Sequence, residues 1–440
     1  MIDDEIKVVY AMYIPLVFPE GFAIGGQKGS SNFSEIERNG ENQPVIRGTT
    51  LAGLLRSAAE DEPAFDEVLE DYFGYPLDSG LGRGESRLIF SDSAVINYST
   101  NISTHNLINR HTSSTSTLGK GLFSLERVSA GAQADVFIRL NSDGRNEEKD
   151  RELLNFLAGQ LNGGIFIGGS SNRGIGRCLV RGNQIGLARF DMRDADSVAN
   201  YLDMLYFDQK TSDFFKPISI PESSQKFQIK VTLQIPKGQD LLCGAGSAEF
   251  PVSVFSADGK EYWKIPGSSL RGVFRNWMSR LAARDGERLS DNVEQYITDG
   301  ERDVLTLHKN NDAILDLFGS LNQRGRIHFC DAISSRPVER KDEQKRFHVV
   351  IDRFTGGTND GKLFSNTVLV SSDNLKFETE ISIDKPEQKE VIWLQKALQA
   401  LHLGLIRLGS SKASGRLEVS SINILANPKN LIFETIKKDF

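Results

Sequence analysis

The chain contains the same series of sequence blocks twice, and this internal repeat constrains its fold more than any single motif. Each copy has an alternating strand with a glycine turn, a loop leading into a helix, a helix end with a strand, a long hairpin, and a helix followed by a glycine-rich loop and a strand. The blocks of the first copy are 8–27, 41–61, 71–95, 108–140 and 152–180, and those of the second are 227–246, 249–285, 316–334, 351–383 and 393–419. Five blocks in one order predict one structural unit present twice.

The repeat predicts a domain organisation. We place a first domain at 1–190, a connector at 191–222 and a second domain at 223–440. The connector starts with a short amphipathic segment, Val198 to Phe207, and continues as a loop containing Pro217 and Pro221. We expect it to pack on the surface, where it could contact a neighbouring subunit.

The most regular block is KIPGSSLRGVFRNWMSRLA, at 264–282. Its apolar residues recur every three or four positions, which predicts one buried helical stripe. The stripe consists of Leu270, Val273, Phe274, Trp277, Met278 and Leu281. Ser268 or Ser269 is suited to cap the helix by accepting a hydrogen bond from a backbone N–H.

Composition restricts the class of protein. The chain has 440 residues, 39% of them hydrophobic, and a net charge of −7. It offers no apolar run that could cross a bilayer and no secretory signal, so we expect a cytoplasmic protein without a membrane partner. Cys178, Cys243 and Cys330 are too far apart to suggest zinc binding or a disulfide framework. A negative net charge on the whole chain still permits a local groove of positive charge.

The two glycine-rich loops are candidate phosphate sites. They read GGSSNRGIGR in the first copy and LGSSKASGR in the second, with Arg173 and Arg177 matched by Lys412 and Arg416. Glycines allow close approach of the backbone, and consecutive N–H groups can bind an anion. A plain turn is the alternative, but a basic residue in both copies favours contact with an RNA backbone.

The hairpin blocks place a cation beside a ring. Arg110 precedes His111 in the first copy, and Arg353 precedes Phe354 in the second. Such rings can stack on a base. A surface hairpin with one inward-facing ring is the other interpretation.

The starts of the predicted helices supply further candidate phosphate-binding residues. Arg56, Ser269, Arg271 and Arg275 lie near a helix N-terminus, which favours an anion. The arginines could equally pair with acids such as Glu60 or Asp285. Lys28, which follows the first glycine turn, is a further candidate RNA-binding residue.

These motifs together resemble the Cas RAMP superfamily. The resemblance is carried by IPGSSLRG at 265–272, LFG at 317–319, IDRFTGGTNDGKLF at 351–364 and GSSKASGR at 409–416, and it extends over nearly the whole chain as two copies. It is strongest to the backbone subunits of type III CRISPR effector complexes, in a fused, type III-D-like double form. The first copy departs from the family pattern at the start of its helix, where the sequence RGTTLAGLLR has no counterpart of Arg271.

The resemblance implies an α+β fold. Each unit would be a ferredoxin-like, RRM-related RAMP domain with a long thumb hairpin. It also implies that the chain binds guide RNA and positions target RNA, together with other RAMP-type backbone subunits and capping subunits of the complex.

Cleavage of the target is left open by the resemblance. Cleaving relatives carry an acidic residue, usually aspartate, on the loop just before a Pro-Val pair, and they use a divalent metal such as Mg²⁺. In this chain the pair is Pro44-Val45 in the first copy and Pro251-Val252 in the second. Here that position is Asn42 in the first copy, with Glu41 beside it, and Glu249 in the second. Neither copy keeps the aspartate, and loop acids could substitute. The substitutes are Glu35, Glu37 and Asp258.

Three other functions remain open at this point. One is an RNA-binding scaffold that does not cut. Another is a stand-alone endoribonuclease that processes guide RNA, which would need a histidine-centred site such as His105 or His111. The last is a protein-only oligomerisation module.

Overall fold

The structure is a computed structural model of the single chain. The residues that it describes are 6–25, 33–75, 85–106, 122–169, 175–206, 214–219, 226–243, 251–255, 260–287, 313–319, 324–352, 354–370, 375–409, 415–428 and 430–434.

The first unit and the connector contain the following described elements. The strands are β1 (Val8–Phe18), β2 (Phe33–Ser34), β3 (Val45–Ile46), β4 (Leu88–Phe90), β5 (Ser93–Ile96), β6 (Thr100–Asn106), β7 (Leu122–Val128), β8 (Ala132–Ser142), β9 (Leu179–Val180), β10 (Gln184–Asp191) and β11 (Lys216–Ser219). The helices are α1 (Gly48–Glu60), α2 (Leu69–Phe73), α3 (Glu147–Gly159) and α4 (Ala195–Tyr206).

The second unit repeats this arrangement. Its described strands are β12 (Lys226–Gln234), β13 (Asp240–Leu241), β14 (Val252–Phe255), β15 (Glu261–Ile265), β16 (Ile327–Phe329), β17 (Ala332–Pro337), β18 (Glu343–Ile351), β19 (Thr358–Val370), β20 (Lys376–Asp384) and β21 (Glu418–Ala426). Its helices are α5 (Gly267–Arg284), α6 (Ala313–Phe318) and α7 (Gln388–His402).

Both units have the ferredoxin-like βαββαβ order predicted from the sequence. In the first unit the strands lie side by side as β10-β1-β8-β5, with β4 also pairing with β8. In the second unit the corresponding order is β21-β12-β20-β17, with β16 also pairing with β20. The pairs within these two sheets are antiparallel. The two halves of the chain therefore fold alike.

Helices cover one face of each sheet. Alternate residues of β12, such as Phe227 and Ile229, pack with Leu270, Phe274 and Met278 of α5, while the other apolar residues of the predicted stripe are partly buried against the same core. The predicted stripe is thus confirmed. We use "outer face" below for the sheet face opposite these helices.

One apolar residue departs from the prediction. In the fifth block, Leu394, Leu398, Leu401 and Leu405 recur at helical spacing, which predicts one helix through all four. However, α7 ends at His402, and Leu405 is 62% exposed. Gly404, with a φ of 76°, ends the helical register and turns the chain outward.

The same carboxylate contact fixes the start of the long helix in both units. The N–H of Gly48 donates to Asp92 Oδ1 at 2.8 Å, and the N–H of Gly267 donates to Asp331 Oδ1 at 2.7 Å. The serine cap predicted for α5 is wrong, because the helix begins at Gly267 without a side-chain cap of its own. Both aspartates lie just after the strand that follows the helix.

Asp331 also pairs with a buried lysine. Lys264 Nζ lies 2.9 Å from Asp331 Oδ2, and Arg127 of the first unit lies 3.9 Å from the same oxygen. Burial alone would raise the pKa of Asp331, but Lys264 and Arg127 outweigh it, so that the pKa lies below its usual range. Asp92 pairs with the partly exposed Arg47 instead.

A long hairpin projects from each unit. It is formed by β6 and β7 in the first unit and by β18 and β19 in the second. The first strand of each hairpin lies upstream of the predicted block, which began at 108 and 351. The thumb hairpins are therefore present, but they start earlier in the chain.

The two units contact each other directly. A cavity of about 180 Å³ lies between them, lined by Glu20 and Arg127 from the first unit and Tyr262, Lys264 and Asp331 from the second. Burial raises the pKa of Glu20 to about 7, opposed by Arg177. Charged groups are thus concentrated at the junction.

We predict unequal effects from removing the two helix-start aspartates. Asp331→Ala leaves the buried Lys264 unpaired and should lower the free energy of unfolding by about 3–5 kcal/mol. Asp92→Ala removes a cap at a partly exposed site, and Arg47 keeps Glu37 as a partner, so its loss should be about 1 kcal/mol. Urea denaturation of both variants measures the difference. Equal losses would contradict the role given to Lys264.

Candidate RNA interface

The two glycine loops are fixed in the same way at the same place in each unit. The N–H of Ile167 donates to the carbonyl of Gly176 at 2.7 Å, and the N–H of Leu408 donates to the carbonyl of Gly415 at 2.9 Å. These bonds close the base of each loop. The loop tips, which carry Arg173 and Lys412, lie outside the described residues.

Each loop base is packed against the turn that follows the first strand of its unit. Gly168 and Gly409 have φ values of 92° and 103°, which glycine adopts without strain. A Cβ at Gly168 would lie 2.3 Å from the carbonyl oxygen of Ala23, and one at Gly409 would lie 2.4 Å from that of Leu242. Close packing therefore requires glycine at both positions.

The matched arginines after these loops have different surroundings. Arg177 is largely buried at the junction and pairs with Glu380 of the second unit. Arg416 is 40% exposed, with its guanidinium 3.4 Å from Glu418. The structure thus gives Arg177 a contact between the units and leaves Arg416 at the surface.

The second hairpin presents apolar groups to solvent. Phe354 at its turn is 98% exposed. The exposed apolar residues on its two strands are Phe347, Val349, Val350, Ile351, Leu363 and Phe364. A patch of this kind on a protein surface indicates a site of interaction. Sequence reasoning missed this ribbon, although the run RFHVVI, at 346–351, is a strand signal.

The turn of this hairpin is held by one carboxylate. Asp352 Oδ1 accepts hydrogen bonds from the backbone N–H groups of Phe354, at 2.9 Å, and Thr355, at 2.8 Å. The bonds from Thr355 and Phe354 lower the pKa of Asp352. The ring of Phe354 is therefore placed outward on an ordered turn. Arg353, Arg110 and His111 lie outside the described residues.

Ring and cation contacts continue along both faces of the ribbon. The rings of His348 and Phe364 stack with their centroids 5.1 Å apart. Lys345 Nζ lies 5.3 Å from the centroid of Phe347. Aromatic surfaces combined with cations suit single-stranded nucleic acid.

The arginines at the helix starts contact neighbouring helix ends. Arg56 Nε lies 3.1 Å from Glu60, the partner considered from the sequence, and its Nη1 donates to the carbonyl of Gly74 at 2.8 Å. Arg271 donates to the carbonyl of Phe318 and lies over the ring of that residue. These contacts connect α1 to α2 and α5 to α6. RNA binding by either arginine stays a prediction.

Ser269, in the first turn of α5, and Arg275, near the middle of that helix, are both half-buried. The N–H of Ser269 donates to the carbonyl of Pro266 at 2.9 Å, and the carbonyl of Arg275 accepts from Ser279 Oγ at 2.7 Å. The first amide of the helix is bonded to Asp331, which reduces the room for a phosphate there. Lys28 lies outside the described residues.

The acidic candidates of the first unit lie on an exposed turn. Asn42 has a φ of 62°, and its N–H donates to the carbonyl of Asn39 at 3.0 Å. The N–H of Glu41 donates to Asn39 Oδ1 at 3.0 Å. Among the described residues no three His, Cys, Asp or Glu side chains form a group suited to a metal ion. Glu249 lies outside the described residues.

A comparison with family models finds the same duplication. The RAMP superfamily model matches residues 6–179 and again residues 239–417. Each stretch lies within one predicted domain, and the domain boundaries themselves stay predictions. A comparison with curated proteins finds no significant match.

None of the described helices is long and apolar enough to cross a membrane. The two family matches together cover more than half of the chain, and each lies largely within the span of one βαββαβ unit. The chain therefore belongs to the RAMP superfamily of CRISPR-associated RNA-binding proteins, as a tandem of two RAMP units.

Proposed function

We propose that this chain is a double backbone subunit of a type III CRISPR ribonucleoprotein, which binds guide RNA and positions complementary target RNA. The observation that carries the proposal is the equivalent placement of the glycine loop in both units. A polymer with a repeating phosphate backbone can make the same contact with each copy. Such contacts do not depend on sequence, because base pairing between guide and target supplies the specificity.

The second hairpin supports the same proposal from a different direction. Its exposed rings would cost free energy if they remained in water, and a base can cover them by stacking. The glycine loops would then bind the backbone, and the hairpin would contact the bases.

Cleavage of the target remains a separate proposal, assigned to Glu249. A carboxylate there could act as a general base toward a 2′-hydroxyl. We predict that Glu249→Ala removes one cleavage product while the complex still assembles, and that Glu41→Ala leaves that product unchanged. Mapping target RNA products on a sequencing gel tests this. A full set of products from Glu249→Ala would exclude that residue.

We predict that charge reversal at the second glycine loop weakens RNA binding. The double variant Lys412→Glu, Arg416→Glu removes two cations and should lower the slope of log affinity against log salt concentration by about 1.4, at about 0.7 per single-strand phosphate. Filter binding of guide RNA between low and moderate salt measures this slope.

A matched control for this variant is Arg145→Glu, Lys149→Glu. It changes the net charge equally, near the N-terminus of α3, where added acids are tolerated. The control should retain the original slope. An unchanged slope in the loop variant, or an equal fall in both variants, would overturn the role of the loop.

We also predict that Phe354→Ala lowers RNA affinity without destabilising the fold. Loss of one stacked base should cost about 1–3 kcal/mol, or roughly 5- to 150-fold in affinity. The ring is 98% exposed, so the melting temperature should not change. Tyr206→Ala on α4, which removes another exposed ring, is the control and should bind like the parent. Full affinity of Phe354→Ala would remove that ring from the site.

A further inference from the structure

The two main sheets end differently at their equivalent edges. In the first unit, β11 of the connector pairs antiparallel with Gln184–Leu187 of β10 and so extends the sheet by one strand. In the second unit, β21 occupies the position of β10, and it is the last of its sheet among the described strands. An edge strand presents backbone N–H and C=O groups to which a further strand can bind. The second unit therefore has an open edge where the first unit has a strand.

The added strand also closes the edge of the first sheet. Ile218 of β11 packs against the core of the first unit. The other side chains of β11 include Lys216 and Pro217, and a lysine and a proline on an edge strand both discourage pairing with another chain. The connector thus ends the first sheet with a strand that is protected against further addition.

The connector covers the outer face of the first sheet as well. Met204 of α4 packs with Ala11 of β1. The ring of Phe215, which precedes β11, lies 6.4 Å from that of Phe137 on β8. One segment of the chain therefore protects both the edge and the outer face of the first sheet. Protection of the edge of the second sheet has to come from elsewhere.

The strand β21 lacks the features that protect β11. It carries no charged residue from Val419 to Ala426, and it contains no proline. Ile424 is 48% exposed and Leu425 is 50% exposed. An exposed, uncharged strand at the edge of a sheet is a site at which another strand pairs.

The side chains of β21 alternate between the two faces of the sheet. Ile422 and Ile424 lie opposite core residues of β12, so both are on the helix side of the sheet. Asn423 lies opposite Lys230, on the outer face. A strand added to this edge would therefore meet two isoleucines on one face and an amide on the other.

The described chain beyond β21 does not close this edge. Leu431 and Phe433 pack against the core of the second unit. The N–H of Ile432 between them donates to Oε1 of Gln388 on α7 at 2.8 Å. This stretch therefore lies beside α7, and in the part of the chain that the structure describes it forms no strand with β21.

We propose that β21 pairs antiparallel with β21 of a second copy of this chain, so that two second-unit sheets join across a two-fold axis. Such a contact needs a self-complementary surface. A strand without charge meets this need, because two copies bring no like charges together. With the axis at Asn423, that residue lies opposite its own copy, and Ile422 of each chain lies opposite Ile424 of the other. Cross-strand pairs of β-branched residues stabilise a sheet.

Charge at position 423 tests this contact, because the two-fold axis places that residue opposite its own copy. Asn423→Lys and Asn423→Asp each bring two like charges together, and each should weaken the dimer about tenfold. An equal mixture of the two variants brings opposite charges together and should form a dimer at least as stable as that of the parent. Sedimentation equilibrium of the full chain, treated with nuclease so that RNA cannot link two copies, measures these dissociation constants.

Asn200, an exposed residue of α4, supplies the matched control. Asn200→Lys and Asn200→Asp change the net charge equally and should dimerise like the parent. The melting temperatures of the Asn423 variants should match that of the parent, since Asn423 is exposed as well. A parent chain that stays monomeric at high concentration, a dimer unaffected by charge at position 423, or failure of the mixture to restore the dimer would overturn the inference.

A different protein is the alternative occupant of this edge, and it gives a different result. If the parent chain is monomeric and retains a protein from its native complex that Asn423→Lys releases, the edge binds that protein and the assignment of a second copy is wrong. The inference goes beyond the proposed function, because the dimer forms without RNA. Loss of the dimer and loss of guide RNA binding are therefore separate outcomes.

Discussion

Each of the two main sheets has two faces, and the helices of its own βαββαβ unit cover only one. What covers the second face, water or another part of the chain, determines how the two units pack together. An antiparallel sheet can leave that face to water only if its side chains are polar. The second unit follows this rule with Gln228, Lys230 and Glu380, and the first unit does not, since Ala11 and Phe137 need cover. Two copies of one fold have therefore become chemically distinct on one side.

This difference limits where RNA can lie. In RRM-type proteins the open sheet face stacks bases, but here one outer face is packed against α4 and the other contacts the first unit. The second hairpin, which carries the exposed rings Phe347, Phe354 and Phe364, is a described surface that neither of these contacts covers.

The sequence predicted the elements well where the information is local. The stripe from Leu270 to Leu281 follows from helical spacing alone. The duplicated order predicted one unit present twice, and the resemblance to the RAMP superfamily implied its ferredoxin-like fold. The helix cap failed because Asp331 is 64 residues from Gly267, and no local pattern contains that contact. Leu405 was wrongly predicted to lie on the helix because its spacing continues the helical pattern. In the structure, the helix ends before Gly404.

The partners of the candidate site residues were harder to predict, because they too depend on contacts between residues far apart in sequence. Arg177 and Arg416 occupy the same motif position, yet one is buried at a junction and the other is at the surface. The motif specifies the local turn, whereas the neighbouring unit decides what the arginine can bind. Arg56 shows the same limit, since Glu60 and the carbonyl of Gly74 were both within its reach.

The connector also affects how the chain can be divided for expression. A fragment ending at 190 would lack α4 and β11 and would leave Ala11 and Phe137 uncovered on a sheet. Such a surface promotes aggregation. A fragment ending after Ser219 keeps both elements, so the smallest soluble piece of the first half should extend well beyond the end of its repeat.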